Sequence, residues 1–118
     1  MIVEALPKQI RITGKLVKIK TITRAEAIEH GVWGMFIPDE NLITLCNEQS
    51  PADLLDTLLH EVLHAIYYYW NMQDTDDEER TVHTLASALQ AIYVENQHFH
   101  KCIGRLAKIS RESLNSKD

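Results

Sequence analysis

Residues 51–70 read PADLLDTLLHEVLHAIYYYW, and this stretch decides how the rest of the chain is arranged. Leu55, Leu58, Leu59, Val62, Leu63 and Ile66 recur at helical spacing with no internal Gly or Pro, so a helix is expected from Pro51 to about Trp70. Ser50 supplies a capping oxygen, and Pro51 is the residue best tolerated at a first helical position. Upstream, VWGMFIPDENLITLCN holds two apolar runs, Trp33 to Ile37 and Leu42 to Cys46. Between them Pro38, Asp39, Glu40 and Asn41 favour a reversal, which predicts a β-hairpin. Further upstream, from Gln9 to Ile22, apolar Ile10, Ile12 and Leu16, then Val17, Ile19 and Ile22, alternate with polar residues. That is a strand with a break or bulge at Gly14. TRAEAIEHG, ending at Gly31, suggests a short helical turn or an ordered loop.

Downstream, the acidic segment NMQDTDDEE leads into a second helical pattern from about Asp77 to near Asn96. Val82, Leu85, Ala86, Leu89, Ile92 and Tyr93 fall on one of its faces. The remainder to Leu114 has weaker periodicity and reads as a third helix before a frayed SKD tail. The expected fold class is therefore α+β, with a small, mostly antiparallel N-terminal sheet packed on two or three C-terminal helices.

At 118 residues and 13.6 kDa, residues 1–118 suit one domain. Apolar residues at 45% and charged residues at 25% are ordinary for a globular chain with a packed core. A formal net charge of -5 argues against a broad grip on nucleic acid. Lys15, Lys18 and Lys20, with apolar positions between them, read as the wet face of a strand. Cys46 and Cys102 match neither a disulfide framework nor a Cys-x-x-Cys metal knuckle, and are read as free thiols in a reducing compartment, Cys102 as a small buried apolar residue. Met1-Ile2-Val3-Glu4 does not open a secretory signal, and no run approaches the roughly 18 apolar residues of a membrane span. The expectation is a cytoplasmic chain with no membrane and no nucleic-acid partner.

Chemistry enters at LLHEVLHAI. His60 and His64 are four residues apart, so they lie one turn apart on the same helix face and both imidazoles can converge on one ion. Glu61 projects about 60° beyond His64 on the helical wheel, near enough to hold a metal-bound water without displacing it. Zinc would lower the pKa of that water towards about 7, and the carboxylate could take its proton. The competing reading is a chance H-E-x-x-H on a solvated face. Against it, the histidines sit inside an apolar helix, where an unpaired imidazole is costly. A catalytic zinc needs a further ligand, for which Glu78, Glu79 and His83 are the candidates. Glu78 lies nearest the middle of the apolar face, Glu79 on its flank and His83 further round. Acids are also favoured in a first helical turn merely because they complement the helix dipole.

LLHEVLHAI, followed within about twenty residues by EERTVHTLASAL, resembles the small HExxH metallopeptidase-like proteins of bacteriophages and prophages, and more distantly the ImmA/IrrE-like peptidases. The likeness covers the hairpin and both main helices. It implies a reduced zincin core with a short twisted sheet beside two helices, and a glutamate on the second helix as third zinc ligand. Glu79, three before Val82, matches that position. The implied activity is hydrolysis of a peptide or protein substrate, with Glu61 as general base and His60, His64 and Glu79 holding Zn2+. The chain departs from many such relatives in having Glu95-Asn96-Gln97 where an Asn-Pro ending is common. In zincins the strand before the motif helix often lines the cleft, and Leu42 to Leu45 would occupy that place.

Tyr67, Tyr68, Tyr69 and Trp70 point in four directions, so most of them are packing or surface groups, although a tyrosine near zinc could stabilise an oxyanion. Trp33 and Phe36 are assigned to the core of the sheet. His98 and His100 are poorly spaced to share a ligand, and His30 reads as a loop or cap residue. A second functional class is a non-catalytic, zinc-stabilised phage accessory or interaction protein, which would not require Glu61. A third, a DNA-associated protease of SprT-like type, would expect a basic region or a zinc ribbon.

Overall fold

The computed structural model describes residues 6–70, 72 and 77–115. Most of the acidic spacer (71 and 73–76), the first five residues and the 116–118 tail, read above as frayed, lie outside the described residues. The elements in chain order are β1 (Gln9–Ile12), β2 (Lys15–Ile22), α1 (Arg24–His30), β3 (Gly34–Ile37), a 3-10 turn (Pro38–Glu40), β4 (Leu42–Cys46), α2 (Pro51–Tyr69), α3 (Glu78–Glu95) and α4 (Gln97–Asn115). The class is α+β, and the four strands form one sheet in the order β1-β2-β4-β3.

The break expected at Gly14 is a hairpin turn. Thr13 and Gly14 both have positive φ, at 53° and 79°, and join β1 to β2 with Ile12 paired to Lys15. Two consecutive left-handed residues match the right-handed twist of the flanking strands, so the chain reverses instead of bulging. Along β2, Val17 and Ile19 are buried while Lys18 and Lys20 stay exposed, as alternation requires; Lys15 shares the face of Val17 and is exposed because it stands at the strand's first position, beside the turn. Thr23 caps α1 in a reciprocal capping box with Glu26, and Gly31, left-handed at φ 72°, ends it with two backbone bonds. That short helix carries the chain across, so that β4 returns parallel to β2.

The expected hairpin over Trp33 to Cys46 is present as β3 and β4, antiparallel, with Ile37 opposite Leu42. Strand β4 is the interior strand beside β3, and Leu42, Ile43, Leu45 and Cys46 are all buried. Helix α2 packs its Leu54, Leu58, Val62, Ala65 and Ile66 side against Ile12, Val17, Ile19, Ile43 and Leu45. Fully buried aliphatic groups of this kind contribute about 1.5–3 kcal/mol each. Ser50 caps α2 by accepting from the Asp53 N–H, with Pro51 at its first turn. Helix α3 lies against α2 through Val82 and Ala86, both fully buried. Ser87 bonds Asp56 and Gln90 bonds the Ala52 carbonyl, so the C-terminal half of α3 lies by the start of α2. The N-terminus of α3 is thereby brought to the histidines. None of the described helices is long and apolar enough to cross a membrane.

Candidate metal centre

The middle of α2 presents His60 and His64 on its side away from the sheet core, and the first turn of α3 meets them there. The Nε2 atoms of His60 and His64 stand 3.2 Å apart. The Glu79 carboxylate spans both, with Oε1 2.7 Å from His60 Nε2 and Oε2 3.0 Å from His64 Nε2. Among the described residues this is the one group whose donor atoms, all within 4.8 Å of one another, could hold a metal ion.

Glu78 is placed differently from Glu79, although the helical wheel puts it nearer the centre of the apolar face. It is largely buried, and its Oε2 lies 2.8 Å from His64 Nδ1. An ionised carboxylate only accepts, so Nδ1 carries the proton and, in the neutral ring, Nε2 keeps its lone pair facing the others. Glu79 instead reaches the two rings from the solvent side, with its side chain 69% exposed.

The donor set fits a tetrahedral cation. Bonds of about 2.0–2.1 Å to zinc separate two ligand atoms by about 3.3 Å, close to the 3.2 Å between the two nitrogens, whereas the 2.7 and 3.0 Å contacts to Glu79 are shorter and would open around an ion. With His64 neutral, its proton on Nδ1 and no cation present, the Nε2 lone pair and a Glu79 oxygen would confront each other at 3.0 Å. His83, the third candidate, is exposed, and its ring lies 6.3 Å from that of His60, outside the cluster.

Glu61 points from the same turn of α2 towards β3 and is 8% exposed. Burial pushes its carboxyl up from the ordinary value. The Glu79 carboxylate adds to the rise, while the His60 and His64 rings and the Phe36 backbone N–H, which Glu61 accepts, pull against it. The Phe36 bond follows from register. Cys46 N–H donates to the Trp33 carbonyl, so Trp33, Met35 and Ile37 exchange bonds with β4 while Gly34 and Phe36 turn theirs towards the free edge.

Gly34 makes that approach possible. A Cβ there would lie 2.6 Å from Thr57 Cγ2 and 3.3 Å from Glu61 Cγ. Its signal in the sequence is a single Gly inside a strand pattern, which marks close approach of another element.

A cleft of about 610 Å³ opens beside the cluster, lined by Trp33, Met35, Phe36, Tyr67, Tyr68 and Met72 among others. Its wall is β3. The expectation that Leu42 to Leu45 would line it is corrected, because β4 is covered by β3 on that side. Trp33 is likewise not a core residue but 48% exposed at the cleft, since its place at the very start of the edge strand leaves it beyond the face covered by α2. Phe36 does pack on the core, edge-on to Tyr68 and Tyr69. Tyr69 donates to Asn41 Oδ1, and burial raises its hydroxyl pKa. Tyr67 and Tyr68 face the cleft. Cys46 is buried, but Cys102 is exposed on α4, contrary to expectation, because that helix has little to pack against. His30 sits exposed in the last turn of α1, and His98 and His100 are exposed on α4. No protein-family model matches the chain, and no curated protein or solved structure matches it significantly.

Proposed function

We propose that the chain is a zinc-dependent metallopeptidase-like hydrolase, with His60, His64 and Glu79 as the metal ligands and Glu61 as general base. The observation that carries this reading is the convergence of two Nε2 atoms on one carboxylate with a separate, buried glutamate beside them. A purely structural site has no use for that glutamate.

A zinc ion held there supplies Lewis acidity, which brings water to a pKa near about 7. Glu61 accepts the proton of the attacking water at its carboxylate and passes it to the departing amide nitrogen. In the metal-free chain burial raises its pKa, a shift that a bound cation would oppose. Phe36 N–H fixes its orientation, and Glu78 fixes the ring of His64. The exposed edge of β3, with Gly34 turning its N–H and carbonyl outward, suits an extended peptide lying along the cleft. Tyr67 and Tyr68 are the hydroxyl donors close enough to the cleft to be tested for oxyanion stabilisation. The free thiols Cys46 and Cys102 suit a reducing compartment such as a cytoplasm, and a phage or prophage origin is what the sequence resemblance alone implies.

The test is Glu61→Gln. Elemental analysis of protein purified without added metal should give about one zinc per chain for both wild type and variant, because the ligand set is intact. Hydrolysis of an unfolded protein or peptide library should fall about 10²–10⁴-fold in the variant and not recover with added zinc. Equal turnover in the two proteins rules the mechanism out, and a chain that takes up no zinc rules out the metal site.

A further inference from the structure

Helix α4 is amphipathic along its whole length, yet its apolar face is bare. Phe99, Ile103, Leu106, Ile109 and Leu114 lie on one half of the wheel, and Lys101, Arg105, Lys108 and Arg111 on the other. Every side chain from Gln97 to Leu114 except Ala107 is exposed, Leu106 at 61%. Its substantial packing is with α3, at the corner where Phe99 meets Tyr93. Helix α3 carries a bare stripe of its own on the flank away from α2, with Leu85 at 45% and Ile92 at 39% exposure and Ala88 between them. One chain thus presents two uncovered apolar strips of matching length, 18 and 19 residues, or about 27–28 Å.

The chain cannot cover one strip with the other by itself. A single non-helical residue, Asn96, at φ -130° and ψ 82°, separates Glu95 from Gln97. Folding α4 back antiparallel on its own α3 needs a connection of about 2–5 residues. A short hinge that forbids the intramolecular pairing leaves the intermolecular one open.

We propose that α4 docks on α3 of a second copy of this chain, reciprocally, in a two-fold dimer whose axis passes by the two Asn96 residues. Charge supports this occupant. Helix α4 bears four cations and only Glu112 as an anion, whereas α3 bears Glu78, Glu79 and Glu95 against Arg80. Antiparallel pairing sets Leu106 against the partner's Leu85 and carries Arg111, on the flank of the docking face, towards the acidic first turn of the partner's α3. Pairing α4 with α4 would instead bring the flanking Arg105 and Arg111 of both copies together, like charge on like.

The test uses the full chain and two opposite substitutions at exposed positions, Leu85→Glu and Leu106→Lys. Sedimentation equilibrium should show a wild-type dimer in the micromolar range. Each variant alone should dissociate roughly a hundredfold or more weaker, because the two-fold axis repeats the damage. Mixed together they should form a heterodimer, in which one contact is wild type and the other pairs Glu with Lys. Circular dichroism melts matching the wild-type monomer would show that the folds are intact. A wild type that stays monomeric overturns the proposal, as does a mixture that forms no heterodimer. Loss of dimer in Leu106→Lys but not in Leu85→Glu means α4 pairs with α4. A monomer that pellets with vesicles of anionic phospholipid means that the strip is a bilayer-binding face. Either result overturns the docking on α3.

Discussion

Gly34→Ala is a substitution of one methyl group whose cost can be worked from the geometry. The backbone of Gly34 is not among the left-handed positions, so alanine meets no φ penalty and the effect is steric. The new Cβ would stand 2.6 Å from Thr57 Cγ2, about 1 Å inside ordinary van der Waals contact. Thr57 cannot simply rotate away, because its one hydroxyl proton is held between two acceptors, Gln49 Oε1 and the Asp53 carbonyl, each 2.9 Å from Oγ1. The Thr44 carbonyl at 3.1 Å blocks retreat on the sheet side. Overpacking of this kind costs about 1–3 kcal/mol, less roughly 0.4–1 kcal/mol returned by the stiffer unfolded chain. The net cost, up to about 2.6 kcal/mol, is a fall in Tm of up to about 10 °C for a chain of this size. Thr57→Ser removes the clashing methyl while keeping the hydroxyl and its bonds. Thermal melts of the four proteins in the double-mutant cycle should therefore show Gly34→Ala costing at least ~0.5 kcal/mol less in the Thr57→Ser background. An equal cost in both backgrounds would refute the claim that this contact sets the separation of α2 and β3.

Two further outcomes follow from the cluster. Glu79→Gln should weaken zinc affinity by more than a hundredfold, and Glu78→Gln by about 10–100-fold, the usual effect of removing a carboxylate that orients a ligating histidine; competition with a chromogenic chelator ranks them, and the reverse order would exchange their roles. In chelator-stripped protein, Glu61→Gln should melt above wild type at neutral pH. The folded pKa of Glu61 lies above its ordinary 4.5, so the folded state holds the proton more tightly. The stability this contributes is full below 4.5 and is lost as pH rises through the folded value. The advantage of Gln over Glu should therefore grow with pH across that window, and melts showing a constant difference would contradict the burial of an ionisable Glu61.

What is legible in the sequence follows local rules. Ser50-Pro51, the apolar period of α2 and the Pro38–Asn41 reversal each act within a few residues, and each element is present where its signal lies. The His60/His64 pair is legible for the same reason, since helical spacing alone puts the rings on one face. Residues whose role depends on non-local packing are not. Trp33 and Leu42 to Leu45 both belong to apolar runs, and only strand order decides that β4 is interior and β3 lines the cleft. Glu78 and Glu79 are adjacent acids in the same first turn. The crossing of α3 over α2 separates one that braces His64 through Nδ1 from one that reaches both Nε2 atoms. The periodicity of α4 is faint in the sequence because Cys102, Ala107 and Ser110 dilute its apolar positions, although its basic residues are confined to one side.

The electrostatics of the cluster tie the metal reading to the fold itself. Glu61, Glu78 and Glu79 converge on two imidazoles at the mouth of a largely apolar cleft. Glu61 is removed from water, and Glu79 pushes its pKa further up, so the three carboxylates are an unfavourable grouping when no cation lies among them. Protonated His60 and His64 would offset part of that charge, but only neutral rings keep the lone pairs that an ion uses. A divalent ion balances the carboxylates and uses both lone pairs at once. Its binding to the folded state alone then stabilises the packing of α2 on α3, because His60 and His64 come from one helix and Glu79 from the other. Chelation should consequently lower Tm and loosen the α2–α3 contact before it disturbs the sheet. Hydrogen exchange would show this as faster exchange of amides in the first turns of α3 with β2 and β4 still protected. Uniform loss of protection across sheet and helices, or none, would mean that the ion does not bridge the two helices.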